Sequence, residues 1–290
     1  MTSPPRFSIG RVIGDAVSLA AARFFTMAAI AIIAAIPEGL LTLALLFLEP
    51  GTVHWGITTG LSFDDAGPGT LIMSILDVIV GLLTFLVIQA AITYAAFQSL
   101  LDERPQAWVS IRRALAVLPR LVLAMLWLMF LSSFVMGGLL LVTAFFVNIG
   151  PDLPSPGSGL GGFGAIALLN AAISAVVVAF FYVRWWVFVP TLVLEGAGAT
   201  ACFARSAALT AGRRWAVLAV IVLLMVGSFL STELQQLLDA QGAVVLAGTL
   251  SIAADLFWSL INAVIAAVGY FHLRAEKEGY GAADYADVFS

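Results

Sequence analysis

The chain has 290 residues, 62% of them hydrophobic and 10% charged, with a mean hydropathy of +1.07. A soluble domain carries roughly 25% charged residues, so this chain cannot cover its surface with polar groups and reads as a multi-span membrane protein. A net charge of −4 provides no basic footprint for nucleic acid, and the single cysteine, Cys202, excludes an internal disulfide or a thiolate metal cage.

The N-terminal stretch is not a signal peptide, because Arg11, Asp15 and Arg23 interrupt any apolar core. Over 7–23, Ile9, Val12, Ile13, Ala16, Val17 and Ala20 recur at helical spacing, with Ser8, Arg11, Asp15 and Ser18 on the other face. That pattern predicts an amphipathic helix lying in the membrane interface. The first apolar span runs over 24–48 and contains Pro37 and Glu38; Pro37 is expected to kink it. A loop over 49–69 with His54 and the Asp64–Asp65 pair leads to a second span over 70–91 that contains Asp77.

A second interfacial helix is predicted over 105–120, opened by Pro105, with Trp108, Ile111, Leu115 and Leu118 as its apolar stripe. Span three follows over 121–147, then a Pro/Gly/Ser-rich connector over 148–162, then span four over 163–182 with Asn170 and Ser174. A connector carrying Pro190 and Glu195 precedes a third inner helix over 198–211, on which Ala201, Cys202, Ala208 and Leu209 align and after which Gly212 suits a cap. Span five covers 215–230, a third loop 231–243, and span six 244–270, with Asp255, Ser259 and Asn262 on one helical face. Residues 280–290 form a tail.

All 13 basic residues fall before span one, between spans two and three, between four and five, or after six. The positive-inside rule then predicts both termini in the cytoplasm, with the bacterial cytoplasmic (inner) membrane as the location. Nine of the 17 acids, Glu38, Asp77 and Asp255 among them, lie toward the outer side.

The elements repeat. Arg23, Arg120 and Arg214 each open an apolar run, at spacings of 97 and 94 residues, and Tyr94, Tyr182 and Tyr270 recur 88 apart. The predicted fold is an all-α integral membrane domain of six transmembrane helices. It forms three units of interfacial amphipathic helix plus two-span hairpin, pseudo-threefold about the membrane normal. The units are 7–101, 105–196 and 198–279, within one domain over 1–290. Because each unit has an even number of spans, an inverted repeat is excluded, though a transporter with parallel repeats is not.

Three acids, Glu38, Asp77 and Asp255, lie inside predicted spans, with no Lys or Arg at the same depth. At a helix centre each costs roughly 2.5–3.5 kcal/mol on insertion scales. Two readings stand. With Asn170, Ser259 and Asn262 they line a polar cavity between the repeats, or they serve as interhelical hydrogen-bond glue near the outer interface. Glu195 and Arg205 are likewise either an ion pair fixing the connector to the next helix or a solvated pair worth about 0–1 kcal/mol. His54 and His272 fall on opposite sides, and Cys202 has no nearby inner histidine, so neither a metal site nor a Cys–His nucleophile assembles. No phosphate loop, zinc-protease helix or nucleophile elbow is present, and the glycines over 157–162 lack a flanking strand and a lysine. The expectation is a protein that is not an enzyme, without catalytic residues, metal or cofactor.

Pro190, Val193 and Glu195, followed by Arg205, Ser206, Leu209, Thr210 and Gly212, resemble the P-x-x-V-x-E…R-S-x-x-L-T-x-G pattern of a group of bacterial multi-span proteins. That group includes the membrane domain attached to some glycerophosphodiester phosphodiesterases and related stand-alone proteins. Tyr270, Leu273, Arg274, Glu278 and Gly279 are similar to its Y-x-x-L-R-x-x-x-E-G ending, and 7–16 to its amphipathic start. No phosphodiesterase barrel accompanies these motifs, so the resemblance implies the membrane module and not that activity.

Two functions follow. One is binding or transport of a small or lipidic ligand in the polar cavity, where outer acidity favours a cation or an amine-bearing headgroup. The other is a structural or accessory role, in which the inner helices and the 280–290 tail recruit a cytoplasmic partner or shape the bilayer.

Overall fold

In hydrocarbon every backbone N–H and C=O must be bonded within its own segment, and long apolar runs meet that demand as helices. The computed structural model describes residues 7–48, 68–149 and 162–279, which form helices with no strand among them. In chain order these are α1 (Ile9–Ala22), α2 (Phe24–Leu48), α3 (Pro68–Leu100), α4 (Ala107–Ile149), α5 (Gly162–Trp185), α6 (Phe188–Glu195), α7 (Ala201–Thr210), α8 (Arg214–Ala240) and α9 (Val244–Glu278). Among them α2, α3, α4, α5, α8 and α9 are long and apolar enough to cross a membrane. The chain is an all-α, multi-pass membrane protein. The loop carrying His54, Asp64 and Asp65, most of the 148–162 connector and the 280–290 tail lie outside the described residues.

Helices α3 and α9 form the centre. α3 packs against α2, α4 and α9, and α9 also against α1 and α8. Lipid tails are as apolar as leucine, so burial alone does not drive these helices together, and close packing of small side chains does. Ala90, Ala91, Ala95 and Ala96 of α3 and Ala263 and Ala267 of α9 are accordingly fully buried. Two tryptophans key into glycines of the same interfaces. The Trp258 ring lies on Gly227 of α8, and the Trp186 ring lies on Gly269 of α9.

α1 forms as its periodicity predicts, burying Val12, Ala16 and Ala20 one turn apart while Arg11, Asp15 and Ser18 stay exposed. It docks on α9: the Phe7 N–H donates to Glu276 Oε2 at 2.8 Å, and His272 Nε2 meets Asp15 Oδ2 at 2.8 Å. Only Arg23 separates it from α2.

The structure corrects four element boundaries. The interfacial helix expected over 105–120 and the span after it are one 43-residue helix, α4, running through Pro119. A single proline removes one backbone bond, and the Ala- and Leu-rich flanks keep the helix continuous to a length of about 65 Å. Its expected apolar stripe is divided: Trp108 and Leu115 are exposed, Ile111 is buried and Leu118 half-buried, and the buried face continues through Ser110, Ala114 and Val117. Second, the Pro190 connector is helix α6, with Pro190 through Leu194 buried. Proline is tolerated there because the first-turn N–H groups have no helical partner.

Third, α3 continues past Ala91 to Leu100, burying Ile92, Ala95, Ala96 and Phe97. Fourth, α8 runs to Ala240, leaving only 241–243 as the turn to α9. Its polar residues bond along the helix, Thr232 Oγ1 to the Ser228 carbonyl at 3.2 Å and Gln235 Nε2 to Ser231 Oγ at 3.2 Å, and so do not end it. Shorter and spanning helices are thus separate at α1–α2 and α7–α8 but fused in α4.

Candidate functional site

The C-terminal ends of α5, α6 and α9 meet α7 at one joint, and the predicted motif residues lie in it. Arg205 of α7 grips Glu195 at the end of α6, from Nε at 2.9 and 3.1 Å and from Nη2 at 3.0 Å. Arg205 Nη2 also donates to Glu278. Glu278 accepts from Arg274 Nε at 2.7 Å, Arg274 Nη1 donates to the Tyr270 oxygen at 3.1 Å, and the Tyr270 hydroxyl donates to Glu195 Oε1 at 2.7 Å. Five side chains close a ring of two arginines, two glutamates and a tyrosine, with no net charge. Hydrogen bonds to Glu195, more than those to Glu278, push the Arg205 guanidinium above its ordinary value. The Glu195–Arg205 pair is therefore formed, and it is one edge of a larger network.

Ser206 and Pro190 have neighbouring structural tasks. The buried Ser206 hydroxyl donates to the Arg184 carbonyl and accepts the Val187 N–H, both at 3.2 Å, which bridges the break between α5 and α6. Thr210 Oγ1 donates to the same carbonyl at 3.2 Å. On its apolar side α7 inserts Phe203 among Trp185, Phe188 and Trp127, with ring centroids 5.0, 5.3 and 5.7 Å away. Cys202 is fully buried beside it, and burial pushes its thiol up to about 11. A second ion pair, Arg213 Nε to Glu276 Oε1 at 2.9 Å, ties the start of α8 to α9, and the bond to Glu276 raises Arg213 above its ordinary value.

The intramembrane acids converge from three helices. Glu38 of α2 lies against Gly81 of α3 and is within electrostatic range of both Asp77 of α3 and Asp255 of α9. Glu38 sits about 22 Å along α2 from Arg23. No ion pair among the described residues involves any of the three.

The other predicted cavity residues do not all join them. Ser259 is bonded by Gln89 Nε2 of α3, at 3.2 Å to its hydroxyl and 3.1 Å to its carbonyl, an interhelical tie. Asn170 accepts from Ser174 Oγ one turn on, at 2.8 Å through its carbonyl. Asn262 instead lines a separate groove of about 330 Å³ between α5, α8 and α9. The single polar strip expected on α9 is thus divided between three neighbours.

The sequence reading passed over Gln89, although a lone amide in an apolar run was a legible signal. It also passed over Ser228, which lines the groove beside Asn262. Tyr270 stood out by its 88-residue spacing and in a motif, but its partner Glu195 is 75 residues away; Arg274 stood out only in the motif, although Tyr270 and Glu278 lie one turn from it on α9. No protein-family model, curated protein or solved structure matches this chain.

Proposed function

We propose that the chain is a non-enzymatic membrane protein that binds or transports a small or lipidic ligand bearing a cation or an amine. The observation that carries this reading is the convergence of Glu38, Asp77 and Asp255 from α2, α3 and α9, with no basic partner among the described residues. Carboxylates at membrane depth are costly and face protein, water or a ligand. Glu38 within electrostatic range of two further carboxylates is best accommodated by a cation or a proton. The distribution of arginines supports cytoplasmic termini, with the acids toward the outer side of a bacterial inner membrane. The arginine and tyrosine spacings support three units about an axis along the membrane normal, and the junction motif supports kinship with the membrane module of the phosphodiesterase group.

The test is binding and flux of a lipophilic amine in liposomes holding the purified protein. The double variant Asp77→Asn, Asp255→Asn is expected to lose both without a lower folded yield. Unchanged binding and flux would overturn the proposal.

A second reading, a structural or accessory protein, is favoured by the Gln89–Ser259 bonds, which use polar groups as glue between α3 and α9. It predicts a crosslinkable cytoplasmic partner or altered membrane properties on deletion. Finding neither would count against it.

A further inference from the structure

The groove between α5, α8 and α9 differs from the acidic site in place and in chemistry. Its walls are apolar, with Ile221, Leu224, Met225 and Phe229 of α8 facing Trp186. Four polar side chains line it as well: Tyr182 of α5, Ser228 and Thr232 of α8 and Asn262 of α9, with the Thr232 hydroxyl already donated to the Ser228 carbonyl at 3.2 Å. Asn262 Nδ2 donates to the Trp258 carbonyl at 2.8 Å, which leaves its Oδ1 unbonded. Among the described residues nothing bonds that oxygen, the Ser228 hydroxyl or the Tyr182 phenol. Ser228 and Asn262 lie near the middles of α8 and α9, where bulk water does not satisfy lipid-facing groups. Unsatisfied donors and acceptors in such surroundings are unfavourable unless an occupant completes them.

The lining sets the occupant's character. No charged side chain borders the groove, so an ionic headgroup would have no counter-charge there. Met225, Phe229 and Tyr182 are exposed at its rim, so it opens sideways to the bilayer. Its volume is at the small end of ligand pockets, which run from about 300 to 1,000 Å³. A hydroxyl is both donor and acceptor and can bond Asn262 Oδ1 while accepting from Ser228 or Tyr182. We infer that this groove is a binding site for a neutral, hydroxyl-bearing single-chain lipid, of the long-chain alcohol class. The chain lies along the α8 wall and the hydroxyl sits among Asn262, Ser228 and Tyr182. The site is independent of the three carboxylates.

The experiment labels the full-length protein in lipid nanodiscs with a diazirine-bearing long-chain alcohol. The matching fatty acid, ionised at mildly alkaline pH, is the comparison, and labelled peptides are mapped by mass spectrometry. The alcohol is expected to mark the α8 stretch around Met225 and Phe229 about five-fold more than the acid does. Asn262→Leu should remove that preference. Thr232→Trp, a change on an exposed helix face at the groove mouth, should lower labelling about five-fold even if Asn262→Leu fails to fold. Equal marking by the two probes, label spread evenly over lipid-facing positions such as Phe130 and Phe134, or labelling indifferent to Thr232→Trp would each overturn the inference. Asp77→Asn with Asp255→Asn should leave the alcohol label unchanged. Loss of amine binding with retained alcohol label, or the reverse, tells the two sites apart.

Discussion

Replacing Arg205 by alanine opens the ring that holds α6, α7 and α9 together. Arg205 is 33% exposed, and its partners Glu195 and Glu278 are 19% and 22% exposed. An exposed ion pair contributes about 0–1 kcal/mol, whereas breaking a buried one costs about 3–5 kcal/mol. This joint lies between those limits. Each glutamate also keeps a second partner after the substitution, Glu195 through Tyr270 and Glu278 through Arg274. The expected loss is therefore about 2–3 kcal/mol of stability. Arg205→Lys keeps the charge but not the fork that spans both oxygens of Glu195, and should cost about 1 kcal/mol. The assay is reversible unfolding of the purified protein in one detergent, followed by tryptophan fluorescence. A double-mutant cycle with Glu195→Gln isolates the pair, with an expected coupling of about 1–2 kcal/mol. Arg112→Ala, an exposed arginine on α4, is the control. If Arg205→Ala and Arg112→Ala differ by less than about 0.5 kcal/mol, the ring does not hold the joint and the reasoning fails.

Gly269→Ala drives a methyl into the buried Trp186 ring and should destabilise by about 1–3 kcal/mol, the usual range for overpacking. The same melts measure it, and Gly10→Ala, where a methyl meets nothing, should be neutral or better. Cys202 should resist a maleimide at pH 8 in the folded protein and react once unfolded. Its folded pKa is raised to about 11 from 9.0, so the neutral thiol is the form the fold favours. That contribution is fully present below pH 9.0 and is lost as pH climbs through about 11, so stability should decline across that interval. Rapid native alkylation, or a Cys202→Ala variant with the same alkaline decline, would refute this assignment.

Much of the architecture was legible residue by residue. The period of Val12, Ala16 and Ala20 places α1 on its docking face, and the apolar runs locate all six long helices. Spacing and residue type also pointed to Glu195 meeting Arg205, since both lie within one short junction. The candidate site was less legible. Glu38, Asp77 and Asp255 stood out by depth and charge, but their convergence depends on how α2, α3 and α9 pack. Asn262 shares a helical face with Asp255 in sequence, yet it lines the α5–α8 groove. The fusion of α4 went unread because Arg120 opens an apolar run as Arg23 and Arg214 do, whereas α4 continues through Pro119 and Arg120 without a break.

Hydropathy by itself determined which segments of this chain are long and apolar enough to cross a membrane, because that is set by the local cost of burying charge and backbone. Only the tertiary structure decided which polar residue meets which, how the ring at Arg205 closes, and where the groove opens. Between helices in lipid the hydrophobic effect is nearly silent. Partners are chosen by the fit of Ala90 and Ala263, of Trp258 on Gly227 and of Trp186 on Gly269, a matter of shape that hydropathy does not encode.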